Sequence, residues 1–349
     1  MTEGMKLSRR RLLELTAMSG AMVVAPRLVW AGEPQRGGHL VAAIGGASAG
    51  DSLDPRNFNS PYGAAVSGII YNNLISVQGP QKNLVPELAQ SWEALDGGRT
   101  WVFTLADGVE FHNGKILTSE DVVYSLRRHA DPDSRSNMRS VIGGVTDIRT
   151  DGDSRVVIEL PEGNYLFPAY LAHFSLGIIP AGTTQFDGIG TGGYKVTHFA
   201  PGEVLEAVRH ENYFKSDAAY VDSVELLAIN DPSALTAAFQ SGQVNLTSML
   251  DARTAGLLEQ MPNLRIFNMA GGGYICFNMR CDIEPFNNPD MRMALKLAVD
   301  REDMMQRVVA GIGTVGNDTP VPSNDAVFAP SVPQLAYDPE RARALYESV

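Results

Sequence analysis

Cysteine is scarce in this chain of 349 residues: Cys276 and Cys281 are the only two. Two thiols five residues apart are too few ligands for a metal centre, and no histidine lies near them in sequence. An oxidising compartment would favour their pairing. On a strand, however, their opposite parity keeps them apart unless a turn intervenes, so a local, non-functional role is the simpler reading. Positive charge is also in deficit. Lys and Arg number 28 against 40 Asp and Glu, a formal net charge of −12. With no basic stripe to meet phosphates, a nucleic-acid partner is excluded, and the acidic surface serves solubility. Six histidines, His39, His112, His129, His173, His198 and His210, are scattered without a metal-ligand spacing such as H-E-x-x-H. A G-x-S-x-G nucleophile elbow is missing, and the carboxylates are spread evenly along the chain. The expectation is a protein that is not an enzyme and has no metal or cofactor.

Long apolar runs are missing too. Leu15 to Ala25 is broken off by Glu14 and by Pro26-Arg27, too short to span a bilayer core of ~30 Å. It reads instead as part of an address. Ser8-Arg9-Arg10-Arg11-Leu12-Leu13 resembles the twin-arginine export motif, and Val29 and Ala31 supply small residues at a cleavage site. An Arg-rich signal for the general secretion route is the alternative. Residues 1–31 are therefore expected to be a signal peptide cleaved near Ala31, with the twin-arginine translocation machinery as a partner. No cysteine lies near the cleavage site, so the mature chain is expected free in the periplasm.

What is present is an ordinary globular composition, 44% hydrophobic and 19% charged, long enough for two lobes. The stretch from Glu87 to Leu126 organises the rest. Trp101, Phe103 and Leu105 alternate with Val102, Thr104 and Ala106, the period of a strand with one buried face. Asp107-Gly108 makes a turn, Val109 to Phe111 a second short strand, and Asn113-Gly114 a tight turn. Thr118 and Asp121 predict a capping box, and Val122, Val123 and Leu126 the apolar face of the helix behind it.

Before this stretch, Gly37 to Ile44 predicts a strand and Gly63 to Ile75 a helix. After it, Gly143 to Leu160 predicts two strands around an Asp151-Gly152-Asp153 turn. Asn164 to Phe174 predicts a helix whose Tyr165, Phe167 and Tyr170 enter the core. Gly190-Thr191-Gly192-Gly193 lacks the Gly-Lys-Ser/Thr ending of a phosphate loop and leads into a strand. Val204 to Arg209, Val221 to Ile229 and Val244 to Thr247 read as strands. Asp231-Pro232 caps a helix reaching Gln240, and Asp251 to Gln260 is a further helix. Ile266 to Ala270 and Gly273 to Asn278 are strand-like around three glycines, either a mere loop or a place of close backbone approach. Asp290 precedes a helix with Met291, Ala294, Leu295 and Ala298 on its buried stripe, and Asp338-Pro339 starts another.

Leu88-Ala89, Ser91-Trp92, Trp101, Phe103, Leu105, Gly108-Val109, Phe111-His112-Asn113-Gly114, Asp121-Val122 and Tyr124-Ser125 stand in a telling order. Together they closely resemble the diagnostic segment of the family-5 extracellular solute-binding proteins, receptors of ABC importers. Pro285-Phe286, Asn288 to Arg292, Ala294-Leu295 and Ala298 to Arg301 resemble a second segment of that family, and Ser52-Leu53-Asp54-Pro55 a third element. The resemblance implies an α/β, two-lobed, periplasmic-binding-protein-like fold (type II, cluster C-like) with mixed sheets. Residues 32–270 would form lobe I, with an inserted α+β subdomain at about 56–185. Residues 271–349 would begin a second, incomplete lobe, since family members continue past this point. The chain reads as truncated, and is expected to bind ligand weakly or not at all.

By the same resemblance, three segments are expected to touch ligand: Asn59, Ser60 and Tyr62; Thr247, Ser248 and Met249; and Gly272, Gly273 and Tyr274. Met249 has the weakest claim, because most methionines are packing residues. Hinge closure over a small peptide or similar solute, then delivery to ABC permease membrane subunits, is the implied function. Nickel complexes, opines or oligosaccharides are alternative solutes. A non-transporting remnant or periplasmic chaperone is the alternative of a different class.

Overall fold

The computed structural model describes residues 34–79, 82–248, 250, 252–261, 264–267, 273, 275–319, 321 and 328–349. The segment read as an export signal lies outside them. One unit, Gly37–Val349, holds every element described below.

The chain opens with strand β1 (His39–Ile44) and helix α1 (Pro61–Ile70), then a hairpin of β2 (Ile75–Gln78) and β3 (Asn83–Pro86). Next come β4 (Ala89–Leu95), β5 (Thr100–Leu105), helices α2 (Ser119–Ala130) and α3 (Arg139–Gly143), β6 (Asp147–Thr150) and β7 (Arg155–Glu159). A single helical turn, α4 (Phe167–Tyr170), leads to β8 (Tyr194–Ala200), β9 (Val204–Arg209) and β10 (Ser223–Ala228). Helix α5 (Pro232–Gln240), the short β11 (Leu246–Thr247) and α6 (Ala252–Leu258) follow, then α7 (Pro289–Leu297), α8 (Arg301–Val308) and α9 (Pro339–Glu347).

A mixed five-stranded sheet runs in the order β11-β1-β10-β9-β8. Strand β1 is parallel to both neighbours, whereas β9 is antiparallel to β10 and β8. Side chains alternate across β1. Ala42 and Ile44 meet Leu205, Ala207 and Leu226, and α1 covers them with Val66 and Ile70. Ala43 faces the other way, onto Leu235, Ala238 and Phe239 of α5 and Leu258 of α6. The carboxyl half of β1 is therefore buried on both faces, whereas β9 turns Glu206 and Val208 to solvent.

The second large sheet is antiparallel, ordered β4-β5-β7-β6. Trp101, Phe103 and Leu105 put their alternate face onto Val156, Ile158 and the apolar stripe Val122 and Leu126 of α2. The helix begins as predicted. Thr118 and Asp121 form the capping box, with Thr118 N donating to Asp121 Oδ2 at 2.9 Å. Asp121 is fully buried and also accepts from Ala181 N at 2.7 Å and from the Lys115 ammonium. The Asn113-Gly114 turn places Gly114 at φ 85°, open to glycine at little cost. Motif residues of this stretch thus hold one joint together.

Several sequence expectations need correction. Only Phe167–Tyr170 of the segment Asn164 to Phe174 is α-helical, and of its three aromatics only Phe167 is core. Tyr165 is 69% exposed and Tyr170 41%. A single turn containing Pro168 can turn only one of these rings inward. Val109 to Phe111 is not a strand: an isolated bridge, Glu110 to Ile116, stands there. Helix α1 stops at Ile70, five residues earlier than predicted, and Ile75 opens β2. Of the strand-like stretch Gly273 to Asn278, the described residues form no strand, and Ile275 and Phe277 are exposed. Cys276 and Cys281 are free and exposed.

Candidate functional site

Because β11, β1 and β10 are parallel, their carboxyl ends lie along one edge, the side on which open α/β sheets bind ligands. The chain leaving β1 there, Gly45 to Ala47, is held by an asparagine just past β10. Asn230 Oδ1 accepts from Gly46 N at 2.8 Å and Ala47 N at 3.2 Å, and its Nδ2 donates to Ala47 O at 2.9 Å. Both sides of one backbone segment are satisfied by one amide.

Ser60 sits against this edge. A Cβ built on Gly46 would lie 3.5 Å from Ser60 Cβ and 3.0 Å from Pro61 Cδ. Ser60 is the N-cap of α1, its hydroxyl accepting from Gly63 N at 3.1 Å. Thr247 lies on the other side of β1, in register with Ala43, and its Oγ1 donates to Ala43 O at 2.9 Å. Half-buried Ser248 follows it. Two of the three predicted segments therefore flank one strand end, although 187 residues separate Ser60 from Thr247 in sequence.

The remaining predicted residues are placed differently. Asn59 is exposed beside Ser60, and Gly273 is exposed. Tyr62 is a packing residue, only 1% exposed, with its hydroxyl donating to Leu226 O at 3.3 Å. Burial, aided by the Asp51 carboxylate, pushes its phenol up to about 12. Met249, Gly272 and Tyr274 lie outside the described residues.

Beside Ser60 a shallow recess is lined by Asp51, Ser52, Asn57, Tyr62 and Phe199. Asn57 Nδ2 donates to Ser52 Oγ at 2.9 Å, and Asp51 accepts from Ser48 N at 2.9 Å and Ser48 Oγ at 3.2 Å. The loop is fixed from beneath by Asp54, which is buried. Burial raises its carboxyl, but Arg56 at 2.9 Å and Arg128 at 2.7 Å outweigh this and hold it below the usual carboxylate range. Arg128 in turn lies 4.4 Å from the Phe186 ring centroid.

The site thus brings hydroxyls and amides together at a strand edge, groups able to hydrogen-bond a small polar solute. Among the described residues, no group of three or more His, Cys, Asp or Glu side chains could hold a metal ion. Sequence reading took Ser52 as part of the Ser52-Leu53-Asp54-Pro55 family element and Asn57 only as part of the loop after it, and did not single out Asp51 or Asn230. An asparagine that ends a strand and precedes an Asp-Pro cap was the one available signal.

Comparison with known proteins agrees with this architecture. Residues 83–348 match the family described as bacterial extracellular solute-binding proteins, family 5 Middle. The glutathione-binding protein GsiB of Pectobacterium atrosepticum is 26% identical over 344 residues, 97% of this chain and 65% of its own length. Two solved structures share the fold at 22% identity, each with a TM-score of 0.77. One is the periplasmic binding protein DppA of Helicobacter pylori in complex with the peptide STSA, covering 90% of this chain and 66% of its own. The other is NikZ of Campylobacter jejuni in complex with Ni(L-His), covering 89% and 62%. This chain spans about two thirds of the length of such relatives, and its mixed α/β fold is that of type II periplasmic binding proteins. It belongs to the family-5 bacterial extracellular solute-binding proteins.

Proposed function

We propose that this chain is the substrate-binding part of an ABC importer and captures di- or oligopeptides by closure of two lobes. The observation that supports the reading is the edge where β1 ends, where Ser60 and Asn230 border the backbone of Gly45 to Ala47 and Thr247 bonds Ala43 beside it. Hydroxyls, amides and backbone groups of this kind hold an extended peptide through its main chain, largely blind to its side chains. A ligand contacting both lobes shifts the population toward the closed form, and that form is what the permease subunits read. Residues 32–270 act as lobe I and residues 271–349 belong to lobe II. Residues 1–31 direct export to the periplasm by the twin-arginine route. Asn59, Ser60, Thr247, Ser248 and the crossover at Gly272, Gly273 and Tyr274 supply the contacts.

A thermal-shift screen of the protein as its host exports it tests this reading. Peptides should raise the melting temperature, the stabilisation reaching about 2.7 kcal/mol at a hundredfold excess over Kd. A shift only with a nickel complex, an opine or an oligosaccharide would replace the peptide. No shift with any solute would sink the receptor reading and favour a non-transporting remnant or chaperone.

A further inference from the structure

The run Gly188 to Gly193 is clamped between two histidines that the solute site does not use. His112, after β5, and His210, after β9, meet edge to face with ring centroids 5.1 Å apart and planes at 89°. Each also bonds the run through its backbone: His112 N donates to Gly190 O at 2.8 Å, and His210 N to Gly193 O at 2.9 Å. The run then passes its own bond onward, Gly192 N donating to Ile70 O at 3.1 Å at the end of α1. A Cβ on Gly190 or Gly192 would run into Ile70.

The His112 ring is held in one protonation state. Gly190 N–H donates to Nδ1 at 3.2 Å, so Nδ1 must be bare, and Nε2–H then donates to Gly192 O at 3.0 Å. Yet Gly188 O also lies 3.2 Å from Nδ1. A proton arriving there would end the bond from Gly190 and make one to Gly188. Among the described residues, three charged or polar side chains, Lys195, Glu110 and Asn212, face the pair. Lys195 donates its ammonium to His112 O at 3.2 Å. Glu110 stands 3.9 Å from His210 Nε2, its carboxylate already accepting from Asn212 Nδ2 at 3.1 Å and 3.2 Å. His210 is 1% exposed, and among the described residues neither ring nitrogen has a hydrogen-bond partner. A charge on either ring therefore meets Lys195 and the other histidine, and the Glu110 carboxylate stands against it on the His210 side. Burial first, then His210 and Lys195, hold His112 down at about 4; burial and Lys195 hold His210 below its usual value, with Glu110 acting the other way.

We propose that the His112–His210 pair is an acid-sensitive clasp: a proton on His112 Nδ1 ends the bond from Gly190 N, a charge on either ring faces Lys195, and the glycine run between the rings loosens to relieve it. The clasp is independent of which solute the protein carries.

Amide hydrogen exchange of the exported protein at pH 7 and pH 4.5, corrected for intrinsic rates, tests it. Exchange at the amides of Gly190, Gly192 and His210 should rise at least about tenfold at the lower pH, the factor for one pH unit of unequal proton binding. Amides of β1 and β10 should stay protected. In His210→Phe, which keeps a ring but cannot charge, the rise should shrink. An unchanged rise in the variant, or one shared by β1 and β10, would overturn the clasp. Should the variant fail to fold, imidazole NMR of the unmodified protein decides: titration of both rings at the ordinary value near 6.5 would likewise overturn it.

Discussion

Arg128 Nη2 lies 2.7 Å from Asp54 Oδ2, joining helix α2 to the loop that leads to Ser60. Seventy-four positions separate them, and both side chains are nearly out of water, 11% and 5% exposed. Asp54→Ala strands the buried Arg128 cation and should cost roughly 3–5 kcal/mol of stability. Arg128→Ala should cost less, because Arg56 still pairs with Asp54 at 2.9 Å. The double variant should cost clearly less than the sum, read as a coupling in a urea-denaturation cycle. Strict additivity would show that the pair does not act together.

Asp121 gathers the Thr118 backbone and hydroxyl, the Ala181 amide and the Lys115 ammonium on one buried carboxylate. Asp121→Ala would leave Ala181 N and the helix start unpaired. The expected loss is about 2–4 kcal/mol, more than the ~1 kcal/mol of an ordinary cap deletion. Thr118→Ala should cost only that smaller amount. Equal losses in chemical denaturation would contradict the buried-anchor role of Asp121.

Gly192 abuts the backbone of Ile69 and Ile70, not a flexible side-chain tip. Gly192→Ala should therefore abolish folding or cost several kcal/mol, in the range that marks severe lesions, ~4 or more. Gly152→Ala, at a turn with φ 69° and open space around it, should cost far less. Comparing their melting temperatures checks both.

Acid should weaken the fold in two steps. Burial holds His112 and His129 down at about 4, His129 with its Nδ1 2.6 Å from Ser136 Oγ. Their folded values lie below the unfolded one near 6.5, so the unfolded chain binds more protons between these limits. Stability is whole above about 6.5 and falls as pH drops toward 4. Asp54 adds a second loss below its ordinary value near 3.8, because its folded value is lowered. Urea midpoints at pH 7.5, 5.5 and 4.5 should fall in that order. A flat profile across this range would contradict the burial of these rings.

Much of this was legible in the residues. Val204 to Arg209 is a strand from end to end, because alternation and flanking turns agree there. The Thr118–Asp121 box was readable for the same reason: a local pattern with a local cause. The glycines before Tyr194 lead into a strand, as their sequence indicated. Pairings at long range were not legible. That β1 lies between residues 223–228 and 246–247 follows from packing on both faces, which no local period reveals. Tyr62 and Tyr165 show the same limit in opposite directions: a predicted ligand contact turned core, and a predicted core ring turned outward. Asn230 escaped notice because an asparagine after a strand reads as a turn.

The most direct test of the site is amide hydrogen exchange of the exported protein with and without a saturating peptide. Binding at the strand edge predicts slowed exchange at 45–48, 59–63 and 246–248, with little change in β4 to β7. Ser60→Ala and Thr247→Val should weaken peptide affinity by about tenfold each if their hydroxyls meet the ligand, since one such bond contributes about 1–1.5 kcal/mol. Protection confined to other segments, or full affinity in both variants, would contradict the placement of the solute at the carboxyl end of β1.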